Sequence, residues 1–207
     1  GDISFEYQYL PQSSLLTGVH SIHQPSGASW IQARTYSTLN QLTEMRTTDS
    51  RGEIWNFQYT YNLANQRTRL EREDGSYWSY QYDFQGQITG GAKFEPDGQA
   101  IPGFSLNYQF DAIGNRTSTE RPPEASVPYV SNALNQVETR DSPASTLVAG
   151  SANPQAAVTV NGQAPTRQNR FYALLLNRDN EEAHWKSVRV EGRIPGAGTR
   201  GSDAVAE

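Results

Sequence analysis

Along the first two thirds of the chain, apolar and polar positions alternate, and the apolar positions are mostly aromatic. Phe5, Tyr7 and Tyr9 form one such row. Trp55, Phe57, Tyr59 and Tyr61 form a second, interleaved with Asn56, Gln58 and Thr60. Trp78, Tyr80 and Tyr82 form a third around Ser79 and Gln81, and Phe104, Leu106, Tyr108 and Phe110 a fourth around Ser105, Asn107 and Gln109. A period of two places alternate side chains on the same face of an extended chain, so each row predicts a strand. Trp30 to Tyr36 fits less well, because Gln32 and Arg34 occupy the expected aromatic side.

Each row runs into a short recurring motif: an aromatic, two or three variable residues, then Gly, Asn or Ser followed by a polar residue. Six copies begin at Tyr9, Tyr36, Tyr61, Tyr82, Phe110 and Ser131, with spacings of 27, 25, 21, 28 and 21 residues. The fifth positions are Ser13, Asn40, Asn65, Gly86, Gly114 and Asn135. Five of these six are Gly or Asn, which adopt positive φ at least cost. The second position is Asn62, Asp83, Asp111 or Asn132 in four copies, where the side chain can accept from backbone amides just ahead. Each copy is therefore expected to be a tight turn. A second turn signal lies between successive copies, at Ser26-Gly27, Arg51-Gly52, Asp74-Gly75 and Asp97-Gly98. The expected fold is all-β: an antiparallel ribbon of about six hairpin repeats forming a curved sheet, whose aromatic faces pack down the stack.

The closest forms of the motif, Tyr82-Asp83-Phe84-Gln85-Gly86-Gln87 and Phe110-Asp111-Ala112-Ile113-Gly114-Asn115-Arg116, resemble the Tyr-Asp-x-x-Gly core of the RHS/YD-repeat family. The resemblance covers roughly residues 5–140. It departs in three copies with Asn for Gly, and in the last, which has lost both aromatic and acid. It implies a bacterial protein, secreted or surface-exposed, whose β-sheet ribbon in larger members spirals into a hollow shell around a C-terminal toxin or effector. Teneurin-like adhesion proteins share the architecture. Such shells need many more than six repeats, so this chain is expected to be a curved segment of a longer parent. The chain has no Asp-Pro dipeptide, and so lacks the Asp-Pro-x-Gly-Leu-like signature that ends the self-cleaving shells. It begins Gly1-Asp2 rather than Met, which also suggests excision from something larger.

Beyond a Pro- and Ser-rich stretch the pattern changes, and a boundary is placed at 143. Thr146 to Ala149, Ala157 to Val160, Phe171 to Leu176 and Trp185 to Val190 read as short strands, with Asn161-Gly162 as a type I′ turn signal. The segment from Gly150 to Gly162 is similar to the opening of bacterial Ig-like modules. Residues 1–143 are thus assigned to the repeat sheet, 144–194 to a small Ig-like, β-sandwich-like lobe, and 195–207 to a Gly-, Ser- and Ala-rich tail or linker.

Composition narrows the functional classes. The 207 residues include 11 Tyr, 7 Phe and 4 Trp, which argues against disorder despite low hydropathy. A net charge of −5 argues against a nucleic-acid partner. No apolar run is long enough to span a membrane as a helix. The absence of Cys removes thiolate chemistry and disulfides. His20 and His23 sit in a strand-and-loop context far in sequence from His184, so no metal site and no cofactor are expected. Most acids lie at hairpin tips or strand ends, among them Glu71, Glu73, Asp74 and Asp97, and no nucleophile, P-loop or zinc-protease motif occurs. Asp83 and Asp111 belong to a repeated turn, and a role repeated many times is structural. Asn40, Asn65, Asp83, Gly86, Asp111, Gly114 and Asn135 are assigned to the turns, and no catalytic residue is assigned.

The aromatic rows allow two readings. They pack the sheet, or Trp30, Trp55 and Trp78 with Tyr59 and Tyr80 form an open face that stacks on sugar rings. The expected function is a non-catalytic segment of a secreted or cell-surface scaffold, with carbohydrate or cell-surface binding as the alternative. Its partners would be polysaccharide or the rest of the parent protein. The two sheet edges are expected to be covered by the C-terminal lobe, by a second copy in a dimer, or by flanking sequence.

Overall fold

The structure, a computed structural model, describes residues 2–23, 26–52, 54–178, 187–194 and 199–201. It is all-β, with no helix among the described residues. Twelve strands form one antiparallel sheet whose spatial order is the sequence order. They are β1 (Ile3–Tyr9), β2 (Leu16–His23), β3 (Ala28–Tyr36), β4 (Leu42–Asp49), β5 (Ile54–Tyr61), β6 (Arg67–Arg72), β7 (Tyr77–Tyr82), β8 (Ile88–Phe94), β9 (Ala100–Phe110), β10 (Arg116–Glu120), β11 (Val127–Ser131) and β12 (Val137–Arg140). Six more follow: β13 (Ser145–Ser151), β14 (Ala157–Val160), β15 (Thr166–Gln168), β16 (Phe171–Asn177), β17 (Val190–Arg193) and β18 (Thr199–Gly201). They form two three-stranded sheets, ordered β13-β16-β15 and β14-β17-β18. The chain divides into two compact units, Gly1–Gln81 with Phe94–Gln99, and Tyr82–Lys93 with Ala100–Glu207.

The repeated motif closes one hairpin after another in the same way. In the second copy the Ser37 amide donates to the Gln41 carbonyl and the Asn40 amide to the Ser37 carbonyl. The same pair of bonds recurs at Asn62, Asp83, Asp111 and Asn132. The residue that ends each turn has positive φ: Asn40 at 61°, Asn65 at 63°, Gly86 at 87°, Gly114 at 92° and Asn135 at 61°. This is a type I turn followed by a left-handed residue, and the register shifts beside it, as between Thr35 and Tyr36, are the accompanying bulge. The tips at Gly75 and Gly98 have the same geometry. The first copy departs from expectation. Its left-handed residue is Gln12, at 59°, rather than Ser13, and the loop closes one residue later, Leu10 amide to Leu15 carbonyl. Pro11 at the first central position followed by positive φ at the second is the pattern of a type II turn, where the other copies use type I.

In the first unit, β1–β7 pair in register over long stretches. Tyr7, Val19, Gln32, Thr47 and Trp55 form one cross-strand row, and Phe5, Ser21, Trp30 and Asp49 another. Gln32 and Arg34, which weakened the sequence pattern of β3, are tied together, the guanidinium donating twice to Gln32 Oε1 at 3.0 and 2.7 Å. The strand therefore keeps its register with polar residues on the aromatic side.

In the second unit the C-terminal strands stack in layers. The run Phe171 to Leu176 is apolar without alternation because both faces of β16 are covered. Tyr172, Leu174 and Leu176 meet Val158 and Val160 of β14. On the other face, Ala173 with Leu147 and Ala149 of β13 lies against Gly103 of β9. Phe171 packs edge-on to Phe104 at 6.1 Å. The backbone at Gly103 has φ 78°, and a Cβ there would stand 3.0 Å from Ala173 Cβ and 3.1 Å from Leu147 Cδ2. Glycine is required for both reasons. Within this unit the lobe thus covers a face of the repeat sheet at β9, an interior strand.

Two details of the lobe differ from the sequence reading. Asn161 (48°) and Gly162 (76°) form the type I′ turn, closed by reciprocal Val160–Gln163 bonds. Pro165 follows, and β14 pairs with β17 while the chain crosses to β15 in the other sheet. The strand expected over Trp185 to Val190 lies partly outside the described residues, as does His184, and β17 begins only at Val190.

Candidate functional site

Trp30, Trp55, Tyr59, Trp78 and Tyr80 all lie in the first unit. The registers place them on one face: Trp30 opposite Asp49, Trp55 opposite Thr47, and Tyr59 opposite Leu70, which in turn faces Trp78. The face is neither a sealed core nor an open platform. Tyr59 is buried at 9% exposure, Trp55 is 40% exposed, and Trp30, Trp78 and Tyr80 are half-buried. Trp78 and Tyr80 stack at 6.4 Å with their planes 6° apart, and Phe5 meets Trp30 edge-on at 6.5 Å.

The sequence reading missed the cations laid against these rings. The Arg67 guanidinium sits 4.2 Å over the Tyr59 ring, and Arg72 lies 5.8 Å from the Phe57 centroid. On the other face Arg69 sits 3.4 Å over Tyr77, which stacks on Phe94 at 5.2 Å, and Arg69 also pairs with Glu71 at 2.7 Å. The signal was available: Arg67-Thr68-Arg69-Leu70-Glu71-Arg72 is a strand whose partner strands are the two richest in aromatics. Arginine is a natural cover for such rings because its flat cation stacks while its edges still donate. Burial raises the Tyr59 hydroxyl above the ordinary tyrosine range, with the nearby Arg67 charge acting in the opposite direction. Of the five, Tyr59 has its ring face occupied by Arg67, and Trp55 is the most accessible.

Asn40, Asn65, Asp83, Gly86, Asp111, Gly114 and Asn135 form the turns, and amide side chains in and beside them link neighbouring turns. Gln41 Nε2 donates to Asn65 Oδ1 at 2.7 Å, Gln85 Nε2 to the Ala112 carbonyl at 3.2 Å, and Asn115 Nδ2 to Asn135 Oδ1 at 3.1 Å. Two motif tyrosines add a second link: Tyr36 Oη donates to the Leu16 carbonyl at 2.9 Å and Tyr61 Oη to the Leu42 carbonyl at 2.8 Å. Asp83 Oδ1 accepts from the Gln85 and Gln87 amides, and Asp111 Oδ1 from those of Ile113 and Asn115. The Asn115 side-chain donor, then the backbone amides, hold the Asp111 carboxyl below the usual aspartate range. A carboxylate fixed as an ionised acceptor at 2.8–3.0 Å is a turn brace and not a proton-transfer group. His20 and His23 lie three residues apart on β2, and His23 Nδ1 bonds Ser26 Oγ at 2.6 Å. Among the described residues no three His, Cys, Asp or Glu side chains gather to hold a metal, and no helix is long and apolar enough to cross a membrane.

No family model and no curated protein matches the chain. Solved structures do. A chain in the crystal structure of TcdB2-TccC3-Cdc42 is similar over 93% of this chain, at 16% identity and a TM-score of 0.51. A chain of the Photorhabdus luminescens Tc holotoxin pore carrying a TccC3 mutation is similar over 96%, at 17% identity and a TM-score of 0.53. At these identities the likeness is one of fold, and this chain spans only 9% of the length of either.

Proposed function

We propose that the chain is a non-catalytic structural segment of a secreted or cell-surface bacterial RHS/YD-repeat protein, serving as shell wall or display scaffold for a toxin, effector or adhesion module. The observation that carries this reading is the use made of the motif. Its Asn, Asp, Gly and Tyr residues are spent on closing turns and tying neighbouring turns together within each unit, which is work for a wall rather than for a site. Support comes from the fold likeness to parts of a Tc holotoxin, over nearly the whole chain. On this reading the partner is the rest of the parent protein, and the unpaired side of β1 is where a further strand adds to the sheet.

Polysaccharide binding is the second reading, favoured only by the exposure of Trp55 beside a guanidinium-rich face. Tryptophan fluorescence with acrylamide quenching, repeated across a panel of bacterial and host polysaccharides, separates the two. The scaffold reading expects emission and quenching that no polysaccharide alters. Protection by one polysaccharide, lost in Trp55→Ala, would replace it with a carbohydrate-binding module.

A further inference from the structure

Lys93, near the end of β8, is 7% exposed and is the one buried basic side chain among the described residues. Its Nζ lies 5.5 Å from the ring centroid of Phe104 on β9 and 5.0 Å from that of Phe171 on β16, and the two rings meet edge-on. The ammonium therefore stands where the lobe meets the sheet, with one ring from each layer. Burying a cation is costly, and an apolar side chain of similar length would give at least as much stability. What the charge adds is discrimination, because it is attracted to the face of a ring and not to apolar surface in general.

The apolar part of the junction does not discriminate in this way. A Cβ on Gly103 would meet Ala173 of β16 at 3.0 Å and Ala149 of β13 at 3.4 Å, and these two alanines are register partners. If the lobe slid sideways by one strand, about 4.8 Å, Ala149 would take the place of Ala173 and set the same methyl against Gly103. Two residues along, the partners differ: Phe171 stands opposite Ser151. The slipped lobe would offer the ammonium a serine in place of a ring. A slip the other way brings in β15, with Thr166 for Ala173 and Gln168 for Phe171, and the larger Thr166 does not fit over Gly103. Arg170 also lies 5.0 Å from the Phe171 ring, but it travels with the lobe and cannot distinguish one seating from another. We propose that Lys93 is a positioning residue, a pin that seats β16 rather than β13 over Gly103 and so sets the single orientation in which the sheet carries the lobe.

Methyl NMR on the full chain with labelled alanine tests this, because Ala149 and Ala173 exchange surroundings between the two seatings. The wild type should give one signal for each. Lys93→Met should melt no lower than the wild type, yet show a second set of both signals at about a tenth of the intensity. Lys93→Arg, which keeps the cation, should return to one set. Phe171→Leu should lower the folding equilibrium constant at least about tenfold more in the wild type than in the Lys93→Met background, because only the lysine needs the ring. Three results would overturn the proposal. Lys93→Met could melt lower or fail to fold with no second set, which would make the lysine a space-filling residue. Phe171→Leu could cost the same in both backgrounds, which would show that the ammonium does not depend on the ring. Glu124→Ala, which removes the acceptor of the Leu147 amide at 3.0 Å, could produce the second set while Lys93→Met does not, which would assign the seating to Glu124.

Discussion

At the scale of single residues, positive φ and a braced carboxylate or amide do most of the work. Asn65 has φ 63° and its side chain also accepts from Gln41. Asn65→Val forces a β-branched residue into the left-handed region and removes that bond. It should cost about 1–2 kcal/mol in urea unfolding, and Asn65→Gly less, because glycine keeps the backbone and loses only the link. Asp111 sets a pH dependence. Its carboxyl is held below the ordinary aspartate value of about 3.9, so the stabilisation it gives is complete above that value and is lost as pH falls through the lowered one. Melting temperature followed from neutral to acid pH should fall less steeply at the acid end in Asp111→Ala than in the wild type, from a lower starting value. These residues were legible in the sequence because turn chemistry is local. Gln12 was not, because in this already degenerate copy the left-handed position falls one residue earlier than the motif predicts.

Among elements, alternation of aromatic and polar residues marked the aromatic strands from Phe5 to Phe110, and the turn signals between them supplied the intervening strands and the order. It could not show what lies against them. The guanidiniums of Arg67, Arg69 and Arg72 come from a strand with no aromatic of its own, and their meeting with Tyr59, Tyr77 and Phe57 is decided by register. Whether a Trp/Tyr face is packed or open therefore depended on neighbouring strands, and the answer is graded from buried Tyr59 to exposed Trp55. The C-terminal strands were hidden for a related reason. Phe171 to Leu176 shows no period because both its faces are covered, one by β14 and one by β9. Gly103 is the contact on which that second covering turns. Gly103→Ala places a methyl against Ala173 and Leu147 at a left-handed backbone position, and should cost about 2–4 kcal/mol by chemical denaturation.

Over the whole molecule, the two edges of the large sheet are unlike. β1 is seven residues long and exposed throughout, with Ile3, Phe5, Tyr7 and Tyr9 on one side, while β12 has four residues and carries Glu138 and Arg140. Each edge strand has a neighbour on one side only, so amide exchange in β1 and β12 should be the fastest of the twelve strands and that in β5 and β6 among the slowest. Protection of β1 equal to that of β5 would show that its bare side is already paired in solution.

The strand order of the sheet has a consequence for how such a chain is made. Because β1 to β12 lie in space as they lie in sequence, no strand has to wait for a distant partner. As the polypeptide leaves a ribosome or a narrow channel, each new hairpin meets the growing end of a sheet already standing, and closing it entails only a short loop. Assembly can therefore be vectorial, paced by emergence of the chain, and a whole hairpin inserted or deleted between motif turns would lengthen or shorten the wall without rethreading anything before it.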